Sequence, residues 1–306
     1  MILSTSKEEL NLKIEPGMTA LLTGASRGMG VHVARALAAR GVHLVLAARS
    51  AAGLESVTTA LRADYGIRVL AVPTDMAQEA GLKALVEAAL AEFGRIDILV
   101  NNAGLESAQD YECTDVGELR QMIEVNLLAP MLLSRWLLPE MLKSGRGHIV
   151  NIASVAGLIS SGYEEPYNAS KFGLVGFSRA LRLTAQDRRW PVSASVICPG
   201  FMSGAGMFAD MIEQHGVSAP KAAGSIAAER LGPAVIRAIE RDLPDLILMP
   251  GTPRLNVALS MLLPRVFEKV IAWLNLAGPF RKIAETRRAE QARESAIREA
   301  GKAQES

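Results

Sequence analysis

The sequence predicts a doubly wound α/β fold: a seven-stranded parallel sheet with helices on both faces, followed by a C-terminal helical extension. Three observations carry that expectation. From Met18 onward, short β-branched or leucine-rich runs alternate with longer alanine-rich stretches, as parallel strands and their crossover helices require. Gly41, Gly66, Gly94 and Gly145 each close a helical stretch, where a residue tolerant of positive φ ends a helix at little cost. The first apolar run leads straight into glycines at 24, 28 and 30 and then into a helical pattern.

Taken in order, strands are expected at 19–22, 42–47, 68–72, 96–100, 148–152, 192–197 and 246–249. Helices are expected at 29–40, 51–65, 77–92, 116–143, 167–186 and 226–241. No internal repeat or linker interrupts the chain before 249, so residues 1–250 read as one domain. Residues 251–306 read as an extension: 255–263 and 266–276 are apolar, Pro264 separates them, and 281–306 is nearly all Ala, Glu, Arg and Lys. A membrane span needs roughly 20 predominantly apolar residues, and Pro264, Arg265, Glu268 and Lys269 break the run. The apolar pair therefore reads as helices packed on the domain or on a second subunit, or as a peripheral membrane contact through 255–276. The charged tail reads as a solvated helix.

Composition narrows the function. The 306 residues are 49% hydrophobic and 21% charged, enough to bury a sizeable core. Lys and Arg total 33 against 32 for Asp and Glu, which leaves no excess positive field for a nucleic acid backbone. Cys113 and Cys198 lie far apart without ligand-spaced partners, so neither a disulfide framework nor a metal site is expected, and a reducing, cytoplasmic setting is. The N-terminal MILSTSKEEL carries acids where an export signal needs a basic and then an apolar run.

The glycine turn carries the first chemistry. Gly24, Ser26, Arg27, Gly28, Met29 and Gly30 lie in one loop at the first strand-to-helix junction. Glycine there lets the backbone turn sharply and approach a pyrophosphate, which then sits on the free N–H groups of the following helix. The expected ligand is a dinucleotide. At the end of the second strand stand Ala47, Ala48 and Arg49, with no acid for a ribose 2′-hydroxyl. Arg49 and Arg27 together favour a 2′-phosphate, hence NADP(H) over NAD(H). Asp75 reads as a helix N-cap or as an acceptor for an adenine amino group.

Tyr167 and Lys171 are four apart and so share one helix face. A neighbouring ammonium, with an oxidised nicotinamide, lowers a phenol's pKa towards the range useful for acid–base work. Ser154 closes the fifth strand at the carboxyl edge of the sheet, where α/β proteins bind ligands, and could polarise a substrate carbonyl. Tyr163 has no Lys at 167 to serve it and is expected only as a pocket wall.

These motifs resemble a known family. TGASRGMG at 23–30 is similar to its TGxxxGxG, residues 101–104 read NNAG, Asn126 falls in the long helix that follows, Ser154 precedes Tyr167 by thirteen, YNASK at 167–171 is its YxxxK, and Pro199-Gly200 follow the sixth strand. On these motifs, which span residues 18–249, the chain is identified as a member of the classical short-chain dehydrogenase/reductase family, whose Rossmann-like domain the resemblance implies. It also implies a tetrad of Asn126, Ser154, Tyr167 and Lys171. Tyr167 would be the acid or base, Ser154 would steady the alkoxide, and Lys171 would hold the nicotinamide ribose. Asn126 would keep its helix irregular enough for a carbonyl to hold a water. Asn102, Ala103 and Gly104 would support the adenine-ribose side, and Pro199, Gly200 and Met202 complete the cofactor set. After Gly200 the family's usual Thr is missing, and Ser203 or backbone N–H groups are left to meet the carboxamide.

Residues 207–217, rich in Met and Phe, read as a lid over an apolar substrate or as core contacts of a short helix. The expected activity is reduction of a hydrophobic ketone, aldehyde or 3-oxoacyl group to the alcohol, or the reverse. A hydroxysteroid- or retinol-type alcohol dehydrogenase and a non-catalytic dinucleotide sensor are the alternatives. The resemblance further implies a homodimer or homotetramer formed through the helices at 116–143 and 167–186.

Overall fold

The structure is a computed structural model and describes residues 12–220 and 223–304. The N-terminal segment read for an export signal lies outside them. Seven strands, β1 (Thr19–Thr23), β2 (His43–Ala48), β3 (Val69–Pro73), β4 (Ile98–Asn101), β5 (Gly147–Ile152), β6 (Val192–Pro199) and β9 (Asp245–Leu248), form one sheet in the order β3-β2-β1-β4-β5-β6-β9. Every pairing is parallel. The central strands are buried along their whole length, as their continuous apolar sequences require when helices cover both faces.

On one face, α1 (Met29–Ala38), α2 (Ala51–Tyr65) and α8 (Leu231–Glu240) pack Val33, Leu37, Leu54, Leu61, Val235 and Ile239 against Leu22, Leu44 and Leu46. On the other, α3 (Glu79–Phe93) and α5 (Ala129–Lys143) pack Leu82, Leu85, Leu133 and Leu137 against Leu21, Leu99 and Ile149. Beside them α6 (Glu165–Asp187) sets Leu174 and Val175 on Val196 and Cys198. Strand order reverses between β1 and β4, so their carboxyl ends open a crevice. That crevice is where this architecture holds ligands.

Two stretches depart from the expected helices. The stretch at 116–143 is not one helix: α4 (Val116–Ile123) passes through a π-helical segment, Glu124–Leu128, before α5 begins. A π segment lets one residue bulge out of register, and here Asn126 is the residue drawn aside by side-chain bonds. The stretch at 226–241 starts as a two-residue strand, β8 (Ile226–Ala227), paired with β7 (Met202–Ser203), and α8 follows only after a 3₁₀ turn. Pro233 then sits in the first turn of α8, where its missing N–H costs nothing.

The tail is also not wholly solvated. After α9 (Pro253–Leu262) and α10 (Pro264–Trp273), α11 (Gly278–Gln304) buries Phe280, Ile283 and Ala284. Phe280 and Ile283 join Phe208 and Met211 of α7 (Met207–His215), together with Ala108 and Val217. Side chains beyond residue 293 lie outside the described set. Among the described residues no helix is long and apolar enough to cross a membrane.

Candidate active site

The glycine turn is shaped by contacts that only glycine permits. Gly24 and Gly28 hold φ of 67° and 60°, the left-handed region that favours glycine. A Cβ on Gly30 would lie 2.1 Å from the Gly24 carbonyl oxygen, so helix and strand could not close. Asn102 locks the turn from the neighbouring strand: its Nδ2 donates to the carbonyls of Thr23 and Gly24 at 3.0 and 3.2 Å. Thr23 Oγ1 in return accepts from the backbone N–H groups of Asn102 and Ala103, each at 3.0 Å.

Over this turn lies a cavity of about 290 Å³ whose wall includes Gly24, Ser26, Arg27, Gly28, Met29 and Gly30 from the loop. Arg49 and Asp75 come from the ends of β2 and β3, and Asn102, Ala103 and Gly104 from the end of β4. The residues fit a dinucleotide: a Cβ on Gly28 would point at Gly206 across the cavity, 3.5 Å from its nitrogen, so glycine keeps that space free. Arg49 is exposed and without an ion pair among the described residues. Arg27, expected to point at the same phosphate, instead bonds Asp210 Oδ2 of α7 at 2.5 Å. Asp75 does not cap a helix, since α3 starts at Glu79 with Gln78 as its N-cap; its Oδ1 instead accepts from Ala77 N at 3.0 Å and closes the turn before α3. Ser50, Thr74 and Met207 also line this cavity; proximity in the fold, not sequence spacing, reveals them.

A second cavity of about 280 Å³ opens beside the first, and Met29, Asn102, Gly206 and Met207 belong to both walls. Ser154, Tyr167 and Lys171 line it, with Pro199, Gly200 and Met202 beyond them. Phe201, Phe208, Phe280 and α10 residues Phe267, Val270 and Ile271 supply an apolar lining. Tyr163 and Ser203 are not part of it. Tyr163, with φ of 69°, packs against the cluster around Phe280, and Ser203 is exposed on β7. Tyr163 is therefore not the cavity wall expected of it, and backbone N–H groups remain the other partner expected for the carboxamide.

Tyr167, Lys171 and Asn126 are buried, at 5%, 2% and 0% exposure. Lys171 Nζ lies 5.7 Å from the Tyr167 ring centroid and donates to the Ile152 carbonyl at 3.1 Å. Asn126 clamps the NNAG segment, its Oδ1 accepting from Leu105 N at 2.7 Å and its Nδ2 donating to Leu105 O at 2.8 Å. The same Nδ2 reaches Ser170 Oγ at 3.0 Å. These bonds explain the π segment, because they hold the Asn126 side chain inward. A Cβ on Gly104 would sit 3.3 Å from Asn126 Oδ1 and 3.5 Å from Lys171 Nζ, so the tetrad closes around a glycine.

The electrostatics differ from the sequence expectation. Burial raises the Tyr167 phenol well above its usual range, a nearby Glu106 adds to this, and a hydrogen bond from Ser154 opposes it. Burial also lowers Lys171 to about 8, with Glu106 pulling the other way. In the protein by itself, desolvation therefore outweighs the neighbouring ammonium. Glu106 and the buried Glu164 both line this cavity, and sequence reading missed them. Glu106 stands two residues after the NNAG segment and Glu164 precedes Tyr167 by one turn, which was the available signal.

Residues 18–216 match the short chain dehydrogenase family. The ketoacyl reductase HetN of Nostoc sp. is 37% identical over 89% of this chain and 94% of its own length. The 3-oxoacyl-[acyl-carrier-protein] reductase FabG of Escherichia coli is 37% identical over 61% of this chain and 74% of its own. Among solved structures, levodione reductase superposes with a TM-score of 0.69 at 28% identity, covering 78% of this chain and 99% of that one. A metagenomic short-chain oxidoreductase in complex with NADP gives a TM-score of 0.65 at 30% identity, covering 78% and 100%. With the parallel sheet, the glycine turn and the Tyr167–Lys171 helix in place, the chain belongs to the short-chain dehydrogenase family of oxidoreductases.

Proposed function

We propose that the protein is an NADPH-dependent carbonyl reductase that converts a hydrophobic ketone, aldehyde or 3-oxoacyl compound to its alcohol, reversibly. The observation that carries this is the pair of joined cavities: one runs over the glycine turn, and the other is apolar with Tyr167 and Ser154 in its wall. Arg49, exposed at the end of β2 with no acid at 47–49, supports the preference for a 2′-phosphate. The complexes of related structures with NADP and, in the alcohol dehydrogenase of Thermococcus sibiricus, with 5-hydroxy-NADP agree with it.

The coenzyme, when bound, supplies the hydride and its nicotinamide ring. Ser154 and Tyr167 face the cavity and donate hydrogen bonds to the substrate oxygen, fixing the carbonyl and stabilising the charge that grows on it. Tyr167 then gives its proton to that oxygen. A phenol held well above its usual pKa keeps that proton until negative charge arrives, which suits a general acid in the reductive direction. Lys171, next to Gly104 and Tyr167, holds the ribose side of the site and carries the positive charge that steadies the phenolate left behind. Asn126 positions the NNAG segment through Leu105 and holds the π segment open for a water on the proton path. Gly24, Ser26, Gly28, Met29 and Gly30 hold the pyrophosphate, Arg27 would reach the 2′-phosphate only by leaving Asp210, and Asp75, Asn102, Ala103 and Gly104 hold the adenosine side. Pro199, Gly200 and Met202 close over the nicotinamide.

Residues 1–250 form the catalytic domain in this reading, and 251–306 its extension. Exposed Val116, Leu128, Met131, Phe172 and Leu183 on and beside α4, α5 and α6 supply the self-association face. The outer side of α9 and α10 supplies a peripheral contact with lipid. Free thiols at Cys113 and Cys198 fit a reducing cytoplasm. The decisive test is a ketone and alcohol panel followed by nicotinamide absorbance with NADPH and with NADH. Turnover favouring NADPH on apolar ketones is expected, and equal rates with NADH would refute the preference. In Tyr167→Phe turnover falls roughly 100- to 10,000-fold while calorimetry still shows coenzyme binding; undiminished turnover would remove Tyr167 from the role.

A further inference from the structure

Arg27 of the glycine turn and Asp210 of α7 both line the cavity over the turn, and Arg27 Nη1 donates to Asp210 Oδ2 at 2.5 Å. Among the described residues neither has another ion-pair partner. The bond ties the turn to a helix mounted between glycines. Gly204 and Gly206, just before α7, hold φ of 84° and 106°, and Gly216, just after it, holds 59°, in the region that favours glycine. Met29 of the turn packs on Gly206, where a Cβ would meet Met29 Cγ and Cε at 3.4 Å. Gly206 and Met207 belong to both cavity walls, so whatever holds the start of α7 bears on coenzyme and substrate alike.

Arg27 also stands beside the place where a 2′-phosphate is expected. The glycine turn abuts the first turn of α2: a Cβ on Gly53 would lie 3.0 Å from Ser26 Cβ and 3.2 Å from the Ser26 carbonyl oxygen. Arg49 and Ser50, the N-cap of α2, come just before it and share the cavity wall with Arg27 and Asp210. One guanidinium thus has two anions to choose between. The side chains of Arg27 and Asp210 are 74% and 34% exposed, so Arg27 can change partner through water without disturbing the core. Asp210 lies in the first turn of α7, where the N-terminal N–H groups of a helix favour a carboxylate, and it is not stranded when Arg27 leaves. A phosphate monoester carries about two negative charges and takes a guanidinium bidentately, which makes it the stronger partner.

We propose that Asp210 is a specificity-determining residue that occupies Arg27 until a 2′-phosphate displaces it, so that NADP(H) frees the start of α7 from the glycine turn and NAD(H) leaves it tied. The exchange breaks one exposed ion pair and forms another. Asp210 thereby subtracts from the affinity for a 2′-phosphorylated coenzyme by the strength of the bond given up. It also makes the mobility of α7 depend on which coenzyme has bound. A ligand shifts a conformational equilibrium only through an interaction that differs between the two states, and a 2′-phosphate on Arg27 is such an interaction.

The inference rests on the proposed preference for NADP(H), and its test separates the two. The probes are 2′,5′-ADP and 5′-ADP: each carries adenosine and two phosphate groups, and only the first has the 2′-phosphate. In calorimetry Asp210→Asn should tighten 2′,5′-ADP about 2- to 5-fold, the strength of one exposed ion pair, and leave 5′-ADP unchanged. In the wild type 2′,5′-ADP should speed amide hydrogen exchange in α7 about 2- to 5-fold, while 5′-ADP does not. In Asp210→Asn that exchange should be fast without ligand and respond to neither probe. Unchanged or weaker binding of 2′,5′-ADP by the variant, equal tightening of both probes, or α7 exchange that ignores 2′,5′-ADP in the wild type overturns the competition. The NADPH preference survives any of these as long as the wild type binds 2′,5′-ADP more tightly than 5′-ADP. If the wild type binds the two probes equally, that preference falls. The competition then stands if Asp210→Asn separates the probes by the stated margin, and falls if the variant also binds them equally.

Discussion

At the scale of single residues, a buried histidine gives a sharp expectation about acid. His148 on β5 is fully buried, and its Nε2 meets Ser195 Oγ at 2.8 Å. Ser195 Oγ donates onward to the Leu243 carbonyl, so Nε2 carries the hydrogen, and Nδ1 is left with no partner. A second proton would have to go to Nδ1, in a dry place with no acceptor. Burial accordingly lowers His148 to about 4. A depressed histidine binds protons in the unfolded chain first, so the stability it contributes is present above about 6.5 and is lost as pH falls towards 4. Between pH 7 and 4.5 the wild type should lose about 2.5 kcal/mol more than His148→Asn, read as the difference in urea midpoints. Equal losses would show that the imidazole is not the acid-sensitive group.

Secondary-structure elements show where sequence reading succeeded and where it stopped. All seven strands were legible because parallel strands buried on both faces are short, apolar and bounded by glycines. The glycine turn and the Tyr167–Lys171 pair were legible because their chemistry is local, within one loop or one helical turn. The break at Glu124–Leu128 has no signal in propensity, since it depends on Asn126 bonding Leu105 from another part of the chain. The docking of α11 left a trace that its charged composition hid: Phe280, Ile283 and Ala284 fall at i, i+3 and i+4, one face of a helix. Phe280 is 5% exposed, its ring centroid 6.1 Å from Phe201 and 6.3 Å from Phe208. Phe280→Ala should cost about 3 kcal/mol of stability and raise KM for an apolar ketone while coenzyme affinity is kept. An unchanged melting temperature would mean that α11 is not seated on α7.

For the whole molecule, two sets of exposed apolar side chains lie on different elements, and the proposed function gives them different occupants. One comprises Leu128, Met131, Phe172 and Leu183 around α5 and α6; the other comprises Leu262, Leu263, Val266 and Trp273 on α9 and α10. Trp273 is 82% exposed, and Arg265 and Lys269 stand exposed on the same helix, the pattern of an interfacial segment with basic residues at headgroup depth. On the proposed assignments, Leu183→Glu should abolish self-association in light scattering yet leave co-sedimentation with anionic vesicles intact, and Trp273→Glu should do the reverse. If either variant changed both readouts, the two surfaces would not be separate. The sequence named both regions, the helices at 116–143 and 167–186 through the resemblance and 255–276 through its apolar run, but which of their side chains are exposed is settled only when the chain has packed.

The helix that seats Phe280 also grips both rims of the substrate cavity. Lys282 Nζ donates to the Gly216 carbonyl at the end of α7, and Arg287 Nη1 reaches Ser107 Oγ at 2.6 Å on the loop after β4. A flap pinned by its neighbour cannot swing alone: for α7 to rise, those polar ties must part or the tail must travel with it. In the proposed reductase, release of the alcohol past α7 would accordingly depend on a segment outside the catalytic sheet, since lid opening can set the pace of such a cycle.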